Sequence, residues 1–147
     1  MVGSVWIELF DGTLPMERVL EFVSGDSGLG GIVTFYGATR GESDAEHGSL
    51  IRLNYEAYRG MAKEKMNELA RTAMQRWEAG RIAMLHRLGP VGVGEDSVAI
   101  AVACPHRAEA FEACRWLIDA LKREVPIWKK DVFADGFTRW VDPTKQS

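Results

Sequence analysis

The sequence predicts an α+β domain built on a mostly antiparallel sheet, and three features carry that reading. Two long stretches, residues 60–78 and 107–125, repeat apolar side chains every three or four positions, the period of a helix with one buried face. Around them lie shorter segments rich in β-branched, aromatic or alternating residues, the marks of strands. Strands and helices interleave without a strict rhythm, and several connections are turns too short for the crossovers that parallel neighbours need.

Taken from the N-terminus, residues 5–10 read as a strand closed by a turn at Asp11-Gly12. Thr13 offers an N-cap and Pro15 suits the first helical turn, so 15–24 reads as a short helix and 25–31 as a turn. Residues 32–39 (IVTFYGAT) have strand composition, whereas 41–49 (GESDAEHGS) read as a polar, mobile surface loop. Residues 50–58 alternate, with Ile51, Leu53, Tyr55 and Ala57 expected on one face.

The helix over 60–78 is expected to bury Met66, Leu69, Ala70, Ala73, Met74 and Trp77. Residues 81–88 form another strand, and Gly89, Pro90, Gly92 and Gly94 make turns. Residues 97–104 (SVAIAVAC) are apolar at all positions but the first, as in a strand covered on both faces. The helix from 107 is expected to turn Phe111, Cys114, Leu117, Ile118 and Leu121 inward. It stops at Val125, which a following proline pushes out of helical geometry. Residues 126–132 are extended and 137–141 form a last short strand.

The 147 residues suit a single domain, 1–147, without repeats or a dividing linker. A hydrophobic share of 46% beside 27% charged residues is that of a globular chain. The net charge of −3 argues against a nucleic-acid binder, which needs surplus Lys and Arg. It leaves room for a small basic pocket. No apolar run reaches the roughly 18–20 residues of a membrane span, and the N-terminal segment lacks a signal-peptide pattern, so a cytoplasmic location is expected. The two cysteines, Cys104 and Cys114, fit neither a redox pair nor a zinc knuckle and read as buried thiols.

Several motifs have plain structural readings. Gly89, Gly92 and Gly94 are not followed by the Lys-Ser/Thr pair or the helix of a phosphate loop, so they are turn glycines. His47 beside Asp44 and Glu46 could bind a metal, but a solvated loop accounts for it better. No zinc-protease motif, nucleophile elbow or Cys-His pairing occurs, which leaves hydrolytic and metal chemistry without a foothold.

The basic residues say more. Arg40 ends a strand. His106 and Arg107 open the second long helix, where free N–H groups and the dipole already favour an anion. A cation there is the wrong charge for the helix, which hints at an anionic visitor; a surface Arg and a capping His are the plain alternative. Lys122 sits in the last helical turn, where it complements the dipole and can pair with Asp119. Lys129 shares a strand face with Ile127 and Asp131, while Trp128 and Lys130 point the other way. A half-buried lysine among apolar groups has its pKa lowered toward a usable amine.

Taken together, ordered segments resemble one family. They are GGIVTFYGATR (30–40), LNYEAY (53–58), HRLG (86–89), PHRAEAFEA (105–113), LKREVPIWKK (121–130) and RWV (139–141). In order and spacing they are similar to the large, catalytic subunits of molybdopterin synthase over roughly residues 5–141. The resemblance implies an α/β-hammerhead-type α+β fold and a homodimer. Each large subunit would carry a small ubiquitin-like sulfur-carrier subunit, giving a heterotetramer. The carrier's C-terminal Gly-Gly thiocarboxylate would enter a pocket and give its sulfur to cyclic pyranopterin monophosphate. Two transfers would form the dithiolene of molybdopterin, without a metal or redox cofactor.

By matching positions, Lys122 and Lys129 fall on the family's catalytic lysines. Ala38, Thr39, Arg40, His106, Arg107, Lys130, Asp131 and Arg139 fall on substrate-binding positions. Arg40, His106 and Arg107 are expected at the substrate phosphate, Lys129 at the pterin, and Lys122 at the carbonyl carbon of the carrier's tail. Two departures stand out: Ala38 replaces a residue that is often basic in the family, and the C-terminal stretch to Ser147 is shorter than in many relatives. A binding module using the same basic pocket, or a structural interaction domain resting on the five tryptophans, are the competing readings. Turnover separates the first from an enzyme, and the cluster of cations at a helix N-terminus speaks against the second.

Overall fold

A computed structural model describes residues 3–141; the N-terminal Met1-Val2 and the C-terminal stretch ending at Ser147 lie outside the described residues. The chain runs β1 (Ser4–Phe10), α1 (Met16–Val23), β2 (Gly31–Ala38), β3 (Ser43–Asp44), β4 (Gly48–Ala57) and α2 (Arg59–Trp77). It continues through β5 (Arg81–Arg87), β6 (Gly89–Gly92), β7 (Asp96–Cys104), α3 (Arg107–Glu124), β8 (Ile127–Phe133) and β9 (Thr138–Val141). The α+β reading holds. Four strands in the order β1-β5-β7-β2 form one sheet, in which only β1 and β5 are parallel. The second sheet is antiparallel, in the order β3-β4-β8-β9, with β6 against β4.

Burial explains the layering. The row Ile82-Met84 of β5 and Ile100-Val102 of β7 faces α2 and α3, whose Met66, Ala70, Ala73, Leu117 and Leu121 close over it. The alternate row, Ala83, Leu85, Ala99 and Ala101, is covered by α1 through Val19 and Val23. Strand β7 is therefore buried on both faces, as its unbroken apolar run requires. Among the described residues no helix is long and apolar enough to cross a membrane.

Local departures from the sequence reading have physical causes. A register shift between Leu50 and Arg52 turns Leu50 inward, and Ile51, expected inside, is 43% exposed. Phe111, expected to face the core, is 62% exposed, because the helix buries Ala110, Ala113 and Cys114 instead. Thr13 makes no cap bond to α1, whose N-cap position is Pro15. Gly89 and Gly94 adopt positive φ as turn glycines do, yet Gly89–Gly92 also pairs with β4 as a short strand.

The segment read as a mobile loop is a hairpin: Ser43 and Asp44 pair with the start of β4. His47 is fastened there by stacking on Phe137 at 3.8 Å and by a 2.8 Å contact from Nδ1 to Asp135. Neighbouring Asp44 caps the N–H groups of Glu46 and His47 through Oδ1.

Candidate active site

The two sheets diverge where β2 ends, β5 passes into β6 and α3 gives way to β8. The opening between them is a cleft of about 800 Å³. Its walls come from the ends of β2 and β7, the middle of β4, the last turn of α3, and the facing strands β8 and β9. Such a position collects side chains distant in sequence on rigid elements, where their geometry is fixed.

Seven of the ten residues singled out from sequence line this cleft: Ala38, Thr39, Arg40, Lys122, Lys129, Asp131 and Arg139. Strand alternation aims Lys129 and Asp131 inward, and β8–β9 register sets Arg139 opposite Asp131. There the Arg139 guanidinium donates to Asp131 Oδ2 at 2.9 Å. Arg40, Lys122 and Lys129 are joined in the walls by a single further carboxylate, Glu42. With Asp131 committed to Arg139, the cleft holds a surplus of positive charge inside a chain of net charge −3. This is the arrangement for a ligand with more than one negative charge.

Lys129 is half-buried, and burial pushes its amine below the usual lysine range. The nearby charges of Lys122 and Arg40 act in the same direction, while Asp131 and Glu42 oppose it. Lys122 projects from the end of α3, and the expected pair with Asp119 does not form, because Asp119 faces Arg115 at 3.8 Å. Thr39 contributes differently. Its N–H donates to Glu95 O and its carbonyl accepts from Gly94, so both backbone groups are occupied. Its buried hydroxyl has no hydrogen-bond partner among the described residues.

Three expected residues lie elsewhere. Lys130 points away from the cleft, its Nζ 5.2 Å over the ring of Trp140. His106 and Arg107 are exposed at the opposite end of α3, roughly 24 Å from Lys122 at 1.5 Å per residue. His106 occupies the N-cap position but its side chain makes no cap bond. The start of β2 holds that end in place: a Cβ on Gly31 would come within 2.7 Å of the Arg107 nitrogen, so only glycine permits the approach.

The cleft also contains residues that sequence reasoning did not select, among them Tyr55, His86, Ser97 and Trp128. His86 carried a readable signal, since it interrupts the otherwise apolar row Ile82, Met84, Leu88. Burial pushes its imidazole down to about 4, its bond to the Arg87 carbonyl opposing and the charge of Lys122 reinforcing the shift. Burial likewise raises the Tyr55 phenol, while the nearby hydroxyl of Ser97, which donates to the Gly37 carbonyl, opposes the shift.

The sequence profile described as "MoaE protein" matches residues 10–124. The chain belongs to the MoaE family. A Thermoplasma volcanium relative, named molybdopterin synthase catalytic subunit, is 44% identical over 138 residues, covering 93% of this chain and 98% of its own. A Culex quinquefasciatus protein of the same name is 40% identical over 136 residues, 92% of this chain and 85% of that one. An Arabidopsis thaliana protein so named is 44% identical over 123 residues, and the match covers 84% of this chain but only 61% of that longer one.

The crystal structure of molybdopterin synthase from Staphylococcus aureus superposes with a TM-score of 0.84 at 31% identity, over 92% of this chain and 96% of that one. The fold is also that of a Helicobacter pylori chain from a complex of subunits 1 and 2 of molybdopterin-converting factor. That match has a TM-score of 0.76 at 21% identity and covers 96% of this chain and 92% of that one.

Proposed function

We propose that the protein is the catalytic subunit of a molybdopterin synthase and acts as a sulfurtransferase. It moves sulfur from the thiocarboxylated Gly-Gly terminus of a small ubiquitin-like carrier to cyclic pyranopterin monophosphate. The observation that carries this reading is the gathering of Arg40, Lys122, Lys129 and Arg139 in one cleft of a net-acidic chain. Both reactants are anions, and their encounter is unfavourable unless fixed cations neutralise them.

The side chains divide the work by position. Lys122, at the α3 terminus, meets the carbonyl carbon of the carrier's tail and stabilises the charge that develops as sulfur leaves, or attacks when deprotonated. Lys129, whose amine burial holds below its ordinary range, orients the pterin and assists proton transfer. Arg40 holds the phosphate beside Thr39 and Ala38, while Asp131 fixes Arg139 at the opposite wall. Lys130 steadies that wall through Trp140.

His106 and Arg107 lie too far from Lys122 to serve the same cleft of one chain. In the proposed homodimer they belong to the cleft of the second copy, where they complete the phosphate site beside that copy's Arg40. Two such dimerised large subunits with two carriers make the heterotetramer.

The test is sulfur transfer with purified components. Thiocarboxylated carrier and cyclic pyranopterin monophosphate are incubated with the protein and the product is weighed by mass spectrometry. A pterin product containing two sulfur atoms, with the carrier returned as its carboxylate, is the expected result. Binding of the carrier without product would make this a binding module.

A further inference from the structure

His86 stands where packing alone calls for an apolar residue. Ile82, Met84 and Leu88, spaced with it at two-residue steps, all belong to the main core, and His86 itself is 5% exposed. That remainder opens on the cleft, which the residue lines. Nδ1 lies 2.8 Å from the Arg87 carbonyl oxygen, which can only accept, so Nδ1 carries a hydrogen. Tyr55 meets the ring edge-on with centroids 4.8 Å apart. Burial keeps the imidazole neutral, so Nε2 carries no hydrogen. No group among the described residues bonds Nε2, and it is not sealed away. The side-chain polar atoms buried there without a partner are Thr39 Oγ1, Arg87 Nε and Glu109 Oε2. Nε2 is thus an open acceptor in the cleft wall.

The cleft is short of such atoms. Arg40, Lys122, Lys129 and Arg139 donate and cannot accept. Asp131 is committed to Arg139, the Ser97 hydroxyl donates to the Gly37 carbonyl, and the Thr39 hydroxyl is closed off. Glu42 is a charged, exposed acceptor. A phosphate finds its partners among the cations, whereas a ring N–H finds none there. We infer that His86 is a specificity-determining residue for the heterocycle, its Nε2 accepting a hydrogen bond from an N–H of the pterin ring while the cations hold the phosphate. The inference rests on the substrate proposed above and deepens that reading. A ligand with a bare nitrogen at this point would set two lone pairs against each other, so the site selects a donor.

The test separates ring from phosphate. Wild-type protein labelled with ¹⁵N-histidine is titrated near pH 7 with inorganic phosphate, and a second sample with cyclic pyranopterin monophosphate. Phosphate alone should leave the His86 Nε2 resonance in place. The pterin phosphate should move it upfield, as a bare ring nitrogen moves on accepting a hydrogen bond. Pterin phosphate that binds without this movement, or a free protein with hydrogen on Nε2, overturns the inference alone. Failure of the wild-type protein to bind the pterin phosphate overturns the functional reading and the inference with it.

His86→Asn keeps a donor for the Arg87 carbonyl but has no atom at Nε2. It should weaken binding of the pterin phosphate about tenfold, the scale of one hydrogen bond, with the affinity for inorganic phosphate held. His86→Gln, which places an acceptor near Nε2, should recover most of that loss. Undiminished pterin affinity in His86→Asn, or an equal loss for both ligands, overturns the inference.

Discussion

Asp131 and Arg139 are directly opposed across β8 and β9, and the guanidinium of one donates to the carboxylate of the other at 2.9 Å. The two side chains differ in setting: that of Asp131 is 6% exposed, that of Arg139 is 48% exposed. The carboxylate is thus a buried charge satisfied from the rim, and it also favours the charged form of Lys129. Asp131→Asn is expected to cost about 1–2 kcal/mol in urea unfolding, reduced from a fully buried pair by the solvent around Arg139. It should also lower the Lys129 pKa further, measurable from ¹³C-labelled lysine.

Lys129 makes a second prediction in pH. Its folded pKa lies below the ordinary lysine value of 10.5, so between the two values the unfolded chain binds more protons. Stability therefore rises with pH across that window, and Lys129 penalises the fold fully only below its folded pKa. The stability difference between wild type and Lys129→Met, followed by denaturant titration from pH 7 to 11, is expected to shrink as pH rises. A difference independent of pH would contradict the burial assigned to the amine.

His86 acts in the acid range. Its folded pKa of about 4 lies below the ordinary 6.5, so unfolding takes up a proton between those values. The stability it leaves intact above pH 6.5 is lost as pH falls toward 4, in total about 3 kcal/mol. His86→Leu, which completes the apolar row of β5, should remove that part of the acid sensitivity in thermal melts.

These groups differ in how far the sequence exposed them. Lys129 and Asp131 were readable because strand alternation puts them on one face with Ile127. The helices α2 and α3 and the strand β7 were readable from their periodicity. What escaped depends on long-range pairing. Ile51 is outside because of a bulge opposite β8, Gly89–Gly92 is a strand because β4 lies beside it, and Phe111 is exposed because small alanines pack closer to β2. His86 was visible as a polar residue in an apolar row. Its place in the cleft, edge-on to Tyr55, depends on how β5 and β4 come together in space.

The separation of Arg107 from Lys122 along α3 gives a prediction about assembly. If one copy's Arg107 serves the other's cleft, Arg107→Ala and Lys122→Ala proteins are each inactive alone. Mixed after unfolding and refolding together, they should recover about a quarter of wild-type activity, from one intact site in each mixed dimer. No recovery would place Arg107 within its own chain's site, and an active Arg107→Ala protein would place it outside the reaction.

The most direct test of the account is single-turnover sulfur transfer by Lys122→Ala and Lys129→Ala, with carrier binding measured on the same preparations. The expected result is folded protein that binds the carrier but transfers sulfur at least about a hundredfold more slowly than wild type. Wild-type rates in both variants would contradict the claim that the cations of this cleft carry out the chemistry.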